Sequence, residues 1–200
     1  LARDWVRQMA ATLRQLDPYA HPITNHYSGD YHRVDMELAG SEVLDYIVGD
    51  GYRDTPGFAR MAEGAASYYA QFQRKPYWIT EYGGNWNATS EPRLQADLHC
   101  GLWSTWMYSF AGIPLFWWYD YVDREDLYFH FRAFANYVQG EDRRGLYGQS
   151  GPLTLTGNAA GLSGVRYRWA YGVYAWVYDT QAMEEMPPPG ARARHAGVVT

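Results

Sequence analysis

Four short stretches collect the residue types that do nucleophilic and proton-transfer chemistry: Asn25-His26-Tyr27, Asp50-Gly51-Tyr52, Glu81-Tyr82-Gly83-Gly84 and Trp117-Trp118-Tyr119-Asp120. Carboxylates among large flat rings suit cleavage of a glycosidic bond. The anomeric carbon needs a nucleophile beneath it, and the C–H face of a sugar stacks on indole. Glu81 is the sharpest candidate. It directly follows Pro76-Tyr77-Trp78-Ile79-Thr80, an apolar and β-prone run, and precedes two glycines that let another backbone approach closely. A carboxylate at a strand terminus is rigid, and a nucleophile must be ionised, which calls for polar neighbours. The bland reading of Glu81 is a surface residue in a turn.

Composition narrows the partners. The chain has 200 residues, 47% hydrophobic and 18% aromatic, which is the make-up of a folded chain. A net charge of -5, from 17 basic and 22 acidic residues, offers nothing to a polyanion, so no nucleic acid partner is expected. The single cysteine, Cys100, excludes a disulfide framework and a cysteine-rich zinc site. No stretch approaches ~18 uninterrupted apolar residues, so no membrane-spanning helix is expected. The 9 Trp, 19 Tyr and 7 Phe fit either a large core rimmed by Tyr and Trp or a groove for flat, half-apolar ligands such as sugars.

The elements that must position the four stretches read as alternating helix and strand. Asp4–Leu16 carries Trp5, Val6, Met9, Leu13 and Leu16 on one helical face and stops at Asp17-Pro18. His21–Tyr27 and Val43–Val48 read as extended runs, the second closed by Gly49-Asp50-Gly51. Phe58–Phe72 is helical in spacing, Pro76–Thr80 a buried strand, Arg93–Phe110 a helix, Gly112–Asp120 a fourth strand and Leu127–Val138 a further helix. Such alternation predicts parallel β/α construction, in which ligands bind at the carboxyl ends of the strands. The four stretches then share one mouth. After Gly140 the pattern changes: Gly145–Gly164 has no helical period, and Val165–Tyr178 reads as extended with Val165, Tyr167, Trp169, Tyr171, Val173, Ala175 and Val177 on one face. The expected organisation is β/α over residues 1–142, the start of a β-sandwich-like accessory unit over 143–180, and a linker or disordered tail over 181–200. Four β/α units make half of an eight-stranded barrel of ~250 residues, and a half-barrel leaves unpaired edges. With no initiator Met before Leu1, the chain reads as a segment of something longer whose missing partner is the N-terminal half.

Other motifs are set aside. Gly49-Asp50-Gly51-Tyr52 lacks the third glycine of a dinucleotide loop, and no Walker loop or Gly-x-Ser-x-Gly elbow occurs. His26, Asp30 and His32 have only loosely metal-like spacing, and His99 sits among apolar residues of a helix. No metal and no cofactor is expected. Asn87-Ala88-Thr89 matches the glycosylation pattern, meaningful only in a eukaryotic secretory setting.

Lys75-Pro76-Tyr77-Trp78-Ile79-Thr80-Glu81-Tyr82-Gly83-Gly84 resembles the seventh-strand segment of clan-A glycoside hydrolases, the cellulase and β-mannanase kind of (β/α)8 TIM barrel. Leu98–Trp103 followed by Ala111–Trp118 is similar to the seventh helix and eighth strand of the cellulase-like members, and residues 1–142 would match units five to eight. The resemblance implies α/β architecture, the C-terminal half of such a barrel followed by a partial all-β segment, and retaining hydrolysis of β-linked sugars. It makes Glu81 the nucleophile, Tyr52 its orienting hydroxyl donor and Trp118 the sugar platform, with Trp117 turned to the other side. Trp86 would wall an adjacent subsite or anchor a loop, and Asn25 and His26 would bind sugar hydroxyls or serve structural roles. Asp120 opens an acidic loop at the mouth. Asp50 stands where many clan members carry histidine, and its charge disfavours ionisation of Glu81 unless Arg53 or solvent offsets it. The second carboxyl of the mechanism, the acid/base, would lie on a strand upstream of Asp4. The competing expectation is a non-catalytic carbohydrate-binding or scaffold protein that keeps the aromatic mouth.

Overall fold

The computed structural model of the chain describes residues 1–53, 57–72, 75–84, 89–157 and 159–186. The elements are α1 (Ala2–Leu16), α2 (Met36–Ala39), β1 (Ile47–Arg53), α3 (Phe58–Tyr69), β2 (Tyr77–Gly84), α4 (Glu91–Met107), β3 (Leu115–Phe116), α5 (Tyr119–Arg124), α6 (Tyr128–Val138), β4 (Gln149–Pro152), β5 (Leu162–Trp169) and β6 (Gly172–Asp179). They form a mixed α/β fold: a parallel three-stranded sheet in the order β1-β2-β3, and an antiparallel one in the order β4-β5-β6.

The parallel sheet is open and has three strands among the described residues, not the four expected. His21–Tyr27 runs beside β1 in the parallel sense, with Ile23 O accepting from Asp45 N at 2.8 Å and Tyr27 O from Asp50 N at 3.2 Å. It does not complete a ladder. Pro22 has no N–H to give, and at Tyr46 O the donor is the Thr24 hydroxyl (2.8 Å), in place of backbone. Gly112–Asp120 likewise contracts, because only Leu115 and Phe116 pair with Glu81 and Tyr82. Tyr119–Arg124 turns helical, with Asp120 in the first turn where its charge complements the helix dipole.

Gly49-Asp50-Gly51 lies inside β1 and does not close it. Both glycines meet the helix layer. A β-carbon at Gly49 would lie 2.7 Å from the Tyr69 hydroxyl, and one at Gly51 would lie 2.6 Å from the Met61 side chain. This face of the sheet is buried with Ile79, Tyr82, Met61 and Leu98, each at most 1% exposed. Such burial contributes about 1.5–3 kcal/mol per large side chain. α1 is attached differently: Arg3 and Arg7 pair with Asp35 and Glu37, and Arg14 with Asp45, while Trp5, Leu13 and Leu16 of its apolar stripe stay 51–75% exposed. Among the described residues no helix is long and apolar enough to cross a membrane.

The extended run Val165–Tyr178 folds back on itself. β5 and β6 pair antiparallel around the two-residue loop Ala170-Tyr171, with Trp169 opposite Gly172. The single apolar face read across that run is therefore divided. Val165 and Tyr167 lie beside Trp176 and Tyr174 on one buried face, whereas Tyr171 and Val173 are exposed. The loop carries neither the Asn-Gly nor the Asp-Gly signal of a tight hairpin, so the turn was invisible in the composition. This sheet packs on α4, with Tyr174 also meeting Tyr137 of α6 edge-on, and shares one hydrophobic core with the parallel unit.

Candidate active site

The site is built where β1 and β2 end. Along β2, Tyr77 donates to Tyr108 O at 3.1 Å, Ile79 is fully buried, and Tyr82 packs at a tilt on Phe58 and donates to Leu98 O at 3.0 Å. All three face the helices. Strict alternation from Ile79 would send Glu81 to that same apolar side. A bulge prevents it: Gly49 pairs with Ile79 but Gly51 with Tyr82, so Thr80 and Glu81 together oppose Asp50. The extra residue flips the parity, returns Tyr82 to the core and turns Glu81 to the opposite face, where Asp50 and Tyr52 of β1 point.

There the Tyr52 hydroxyl donates to Glu81 Oε2 at 3.0 Å. Burial, with the hydrogen bond and charge of Glu81 behind it, pushes the Tyr52 phenol far above its ordinary range, so it remains a proton donor. Asp50 is 1% exposed and both its oxygens are engaged: His26 Nε2 lies 2.6 Å from Oδ1, and Gly29 N donates to Oδ2 at 3.0 Å. His26 is half-exposed. One ligand-capable atom from each of His26, Asp50 and Glu81 lies within 4.8 Å of the others.

The second wall comes from Trp118, in the short link between β3 and α5. A β-carbon at Gly83 would come within 2.8 Å of the Trp118 indole, and the φ of +151° at Gly83 is one that glycine accepts without strain. Gly83 lies two residues beyond Glu81 on the same face, so the indole and the carboxylate stand at one mouth. Trp118 is half-buried, and Trp117 is 44% exposed and edge-on to Tyr119 at 6.4 Å.

The structure thus brings together Glu81, Tyr52, Asp50 and His26, with Trp118 beside them. It does not bring in Asn25, whose side chain interacts with Tyr27, nor Asp120, which is exposed in α5 near Arg124. Trp86 and the side chain of Arg53 lie outside the described residues, as does Asn87. His26, Asp30 and His32 do not converge. His32 bonds locally to Asp30 at 3.1 Å while His26 turns to Asp50. His99 is packed, its ring between Trp103 and Trp176 and its Nδ1 3.1 Å from that of His130. The pairing of His26 with Asp50, 24 residues apart, was missed from sequence although both residues were singled out. Only the parallel course of the 21–27 segment beside β1 creates it.

An oriented carboxylate, a fixed hydroxyl donor and an indole at one strand-end mouth can attack an electrophilic carbon and stack a ring. Asp50 cannot serve as a second, substrate-facing carboxyl, being sealed from solvent. No protein-family model, curated protein or solved structure matches the chain.

Proposed function

We propose that the chain carries the nucleophile half of a retaining β-glycosidase site, organised as the C-terminal half of a (β/α)8 barrel. The observation that carries this reading is the 3.0 Å hydrogen bond from Tyr52 to Glu81 across the ends of neighbouring parallel strands, with the Trp118 indole against Gly83 on the same face. Glu81 attacks the anomeric carbon to give a glycosyl-enzyme, and Trp118 stacks the sugar being cleaved. Tyr52 holds the attacking oxygen in line. His26, half-exposed at the edge of the mouth, offers its ring to a sugar hydroxyl. The acid/base is assigned to the fourth strand of a complete barrel, as the resemblance implies. The uncovered apolar stripe of α1 and the open edges of the sheet fit such an arrangement.

The test is covalent trapping. A 2-deoxy-2-fluoro β-glycoside with a good leaving group, incubated with the full-length parent and followed by peptide mapping, is expected to label Glu81. Label on another carboxylate, or none on any of a panel of gluco- and manno-configured reagents, rejects the role. A non-catalytic sugar-binding protein would give the second result while still retaining oligosaccharide on an affinity matrix.

A further inference from the structure

We propose that His26, Asp50 and Glu81 form a binding site for a divalent transition-metal cation of the zinc type. One imidazole nitrogen and two carboxylate oxygens converge within 4.8 Å, each from a different stretch of chain. This is a mixed N/O donor set that borderline-soft zinc accepts, whereas magnesium and calcium favour all-oxygen shells. Tetrahedral zinc, bound at about 2.0–2.2 Å to each atom, spaces its ligands about 3.4 Å apart. The converging atoms already stand within 4.8 Å of one another. His26 Nε2 and Asp50 Oδ1, hydrogen-bonded at 2.6 Å, must part to admit the ion, and His26, with 46% of its side chain exposed, is the partner with room to turn.

The outer hydrogen bonds match those that ligating carboxylates carry. Gly29 N holds Asp50 Oδ2 and leaves Oδ1 toward the cluster, while the Tyr52 hydroxyl holds Glu81. Burial adds to the case. Asp50 is 1% exposed, so a carboxylate there is held away from the water that screens surface carboxylates, and a bound cation would serve as its counter-charge. Zinc in this position occupies the oxygen that would attack a sugar. The inference stands on the cluster geometry and is independent of the glycosidase reading, but it predicts that the cation blocks that chemistry.

The experiment is calorimetric titration of the whole chain, stripped with chelator, with zinc chloride, and with magnesium and calcium chloride as comparisons. One equivalent of zinc is expected to bind and to raise the thermal midpoint, with magnesium and calcium far weaker. His26→Ala and Glu81→Gln should each weaken zinc binding on the order of 100-fold, and Tyr52→Phe roughly 10-fold, with the folding of each variant checked by its thermal midpoint. Absence of zinc binding by the folded wild-type chain overturns the proposal, as does equal binding by wild type and both ligand variants. Fluoroglycoside labelling separates the two readings. Label at Glu81 without zinc binding removes the cation site and keeps the nucleophile. Zinc binding that depends on His26 and Glu81, without any label, does the reverse, and zinc that slows labelling supports both.

Discussion

The mouth of the parallel sheet and the face of the antiparallel sheet are both rich in aromatic rings, yet they use them in opposite ways. On β5 and β6 the rings satisfy one another: Trp169 lies 4.6 Å from Tyr174, and Tyr174 lies 5.9 Å from Trp106 of α4. The cation that could have been a ligand's is internal. The Arg143 guanidinium sits 3.9 Å from the Trp106 ring and 5.1 Å from Tyr167, and donates to Trp106 O. At the mouth, Trp118 lies against a glycine backbone beside a cluster of two carboxylates, an imidazole and a phenol. The difference teaches that an aromatic excess is no evidence of a ligand site until the faces of the rings are accounted for. One region is a cation-filled clamp, the other a half-buried indole at the edge of the core on the face that carries the titratable cluster.

Breaking the mouth should affect turnover and leave folding alone. Glu81→Gln in the full-length parent is expected to lower kcat roughly 10^4-fold or more, with the thermal midpoint nearly unchanged. Unaltered turnover would remove the nucleophile from the comparison. Breaking the clamp should do the opposite. Arg143→Ala loses a desolvated cation–π contact and the packing of its stem, and should cost about 3 kcal/mol of stability by denaturant titration. A loss confined to activity would mean that the two regions are not distinct.

Tyr52→Phe sharpens the contrast within the mouth. Removing a hydrogen bond to a carboxylate costs about 1.5–3 kcal/mol, so kcat/KM should fall roughly 10- to 100-fold with little change in stability. A rise in KM alone would argue that Tyr52 binds substrate and does not orient Glu81. The smallest effect lies between the regions, on α4. Asp97 is 3% exposed, and burial pushes its carboxyl up to about 7, only partly opposed by Arg93. The unfolded chain releases that proton near the ordinary carboxylate range, so between about pH 4 and pH 7 the folded state holds the extra proton. Stability should therefore fall as pH rises through that window and level off above it. Asp97→Asn is expected to flatten this trend by on the order of 1–2 kcal/mol in urea midpoints measured from pH 4.5 to 8. An unchanged slope would place the titration elsewhere.

Local pattern was enough for much of this. The helical spacing of Glu91–Met107 and Tyr128–Val138, and the apolar run that leads into Glu81, were legible because each depends on near neighbours, although β2 continues past Glu81 to Gly84. The partnership of Tyr52 with Glu81 was reached only through resemblance. The residues that alternation misread share a cause. Gly49 and Gly51 looked like a turn because glycine is permissive, but they are small because Tyr69 and Met61 need the space. Val165–Tyr178 looked like one strand because its turn residues carry no special conformation.

What the sequence determined by itself is the inventory: a carboxylate at position 81 preceded by a β-prone run, a tyrosine and an acid two apart, and an aromatic share of 18%. Which way those groups face was decided by tertiary structure alone. The bulge opposite Asp50 exists only once β1 and β2 are paired, and it turns Glu81 away from the helices. The bond from His26 to Asp50 exists only once the 21–27 segment lies along β1. Side-chain type is a property of one residue, whereas direction on a sheet is a property of register, and register is set between strands.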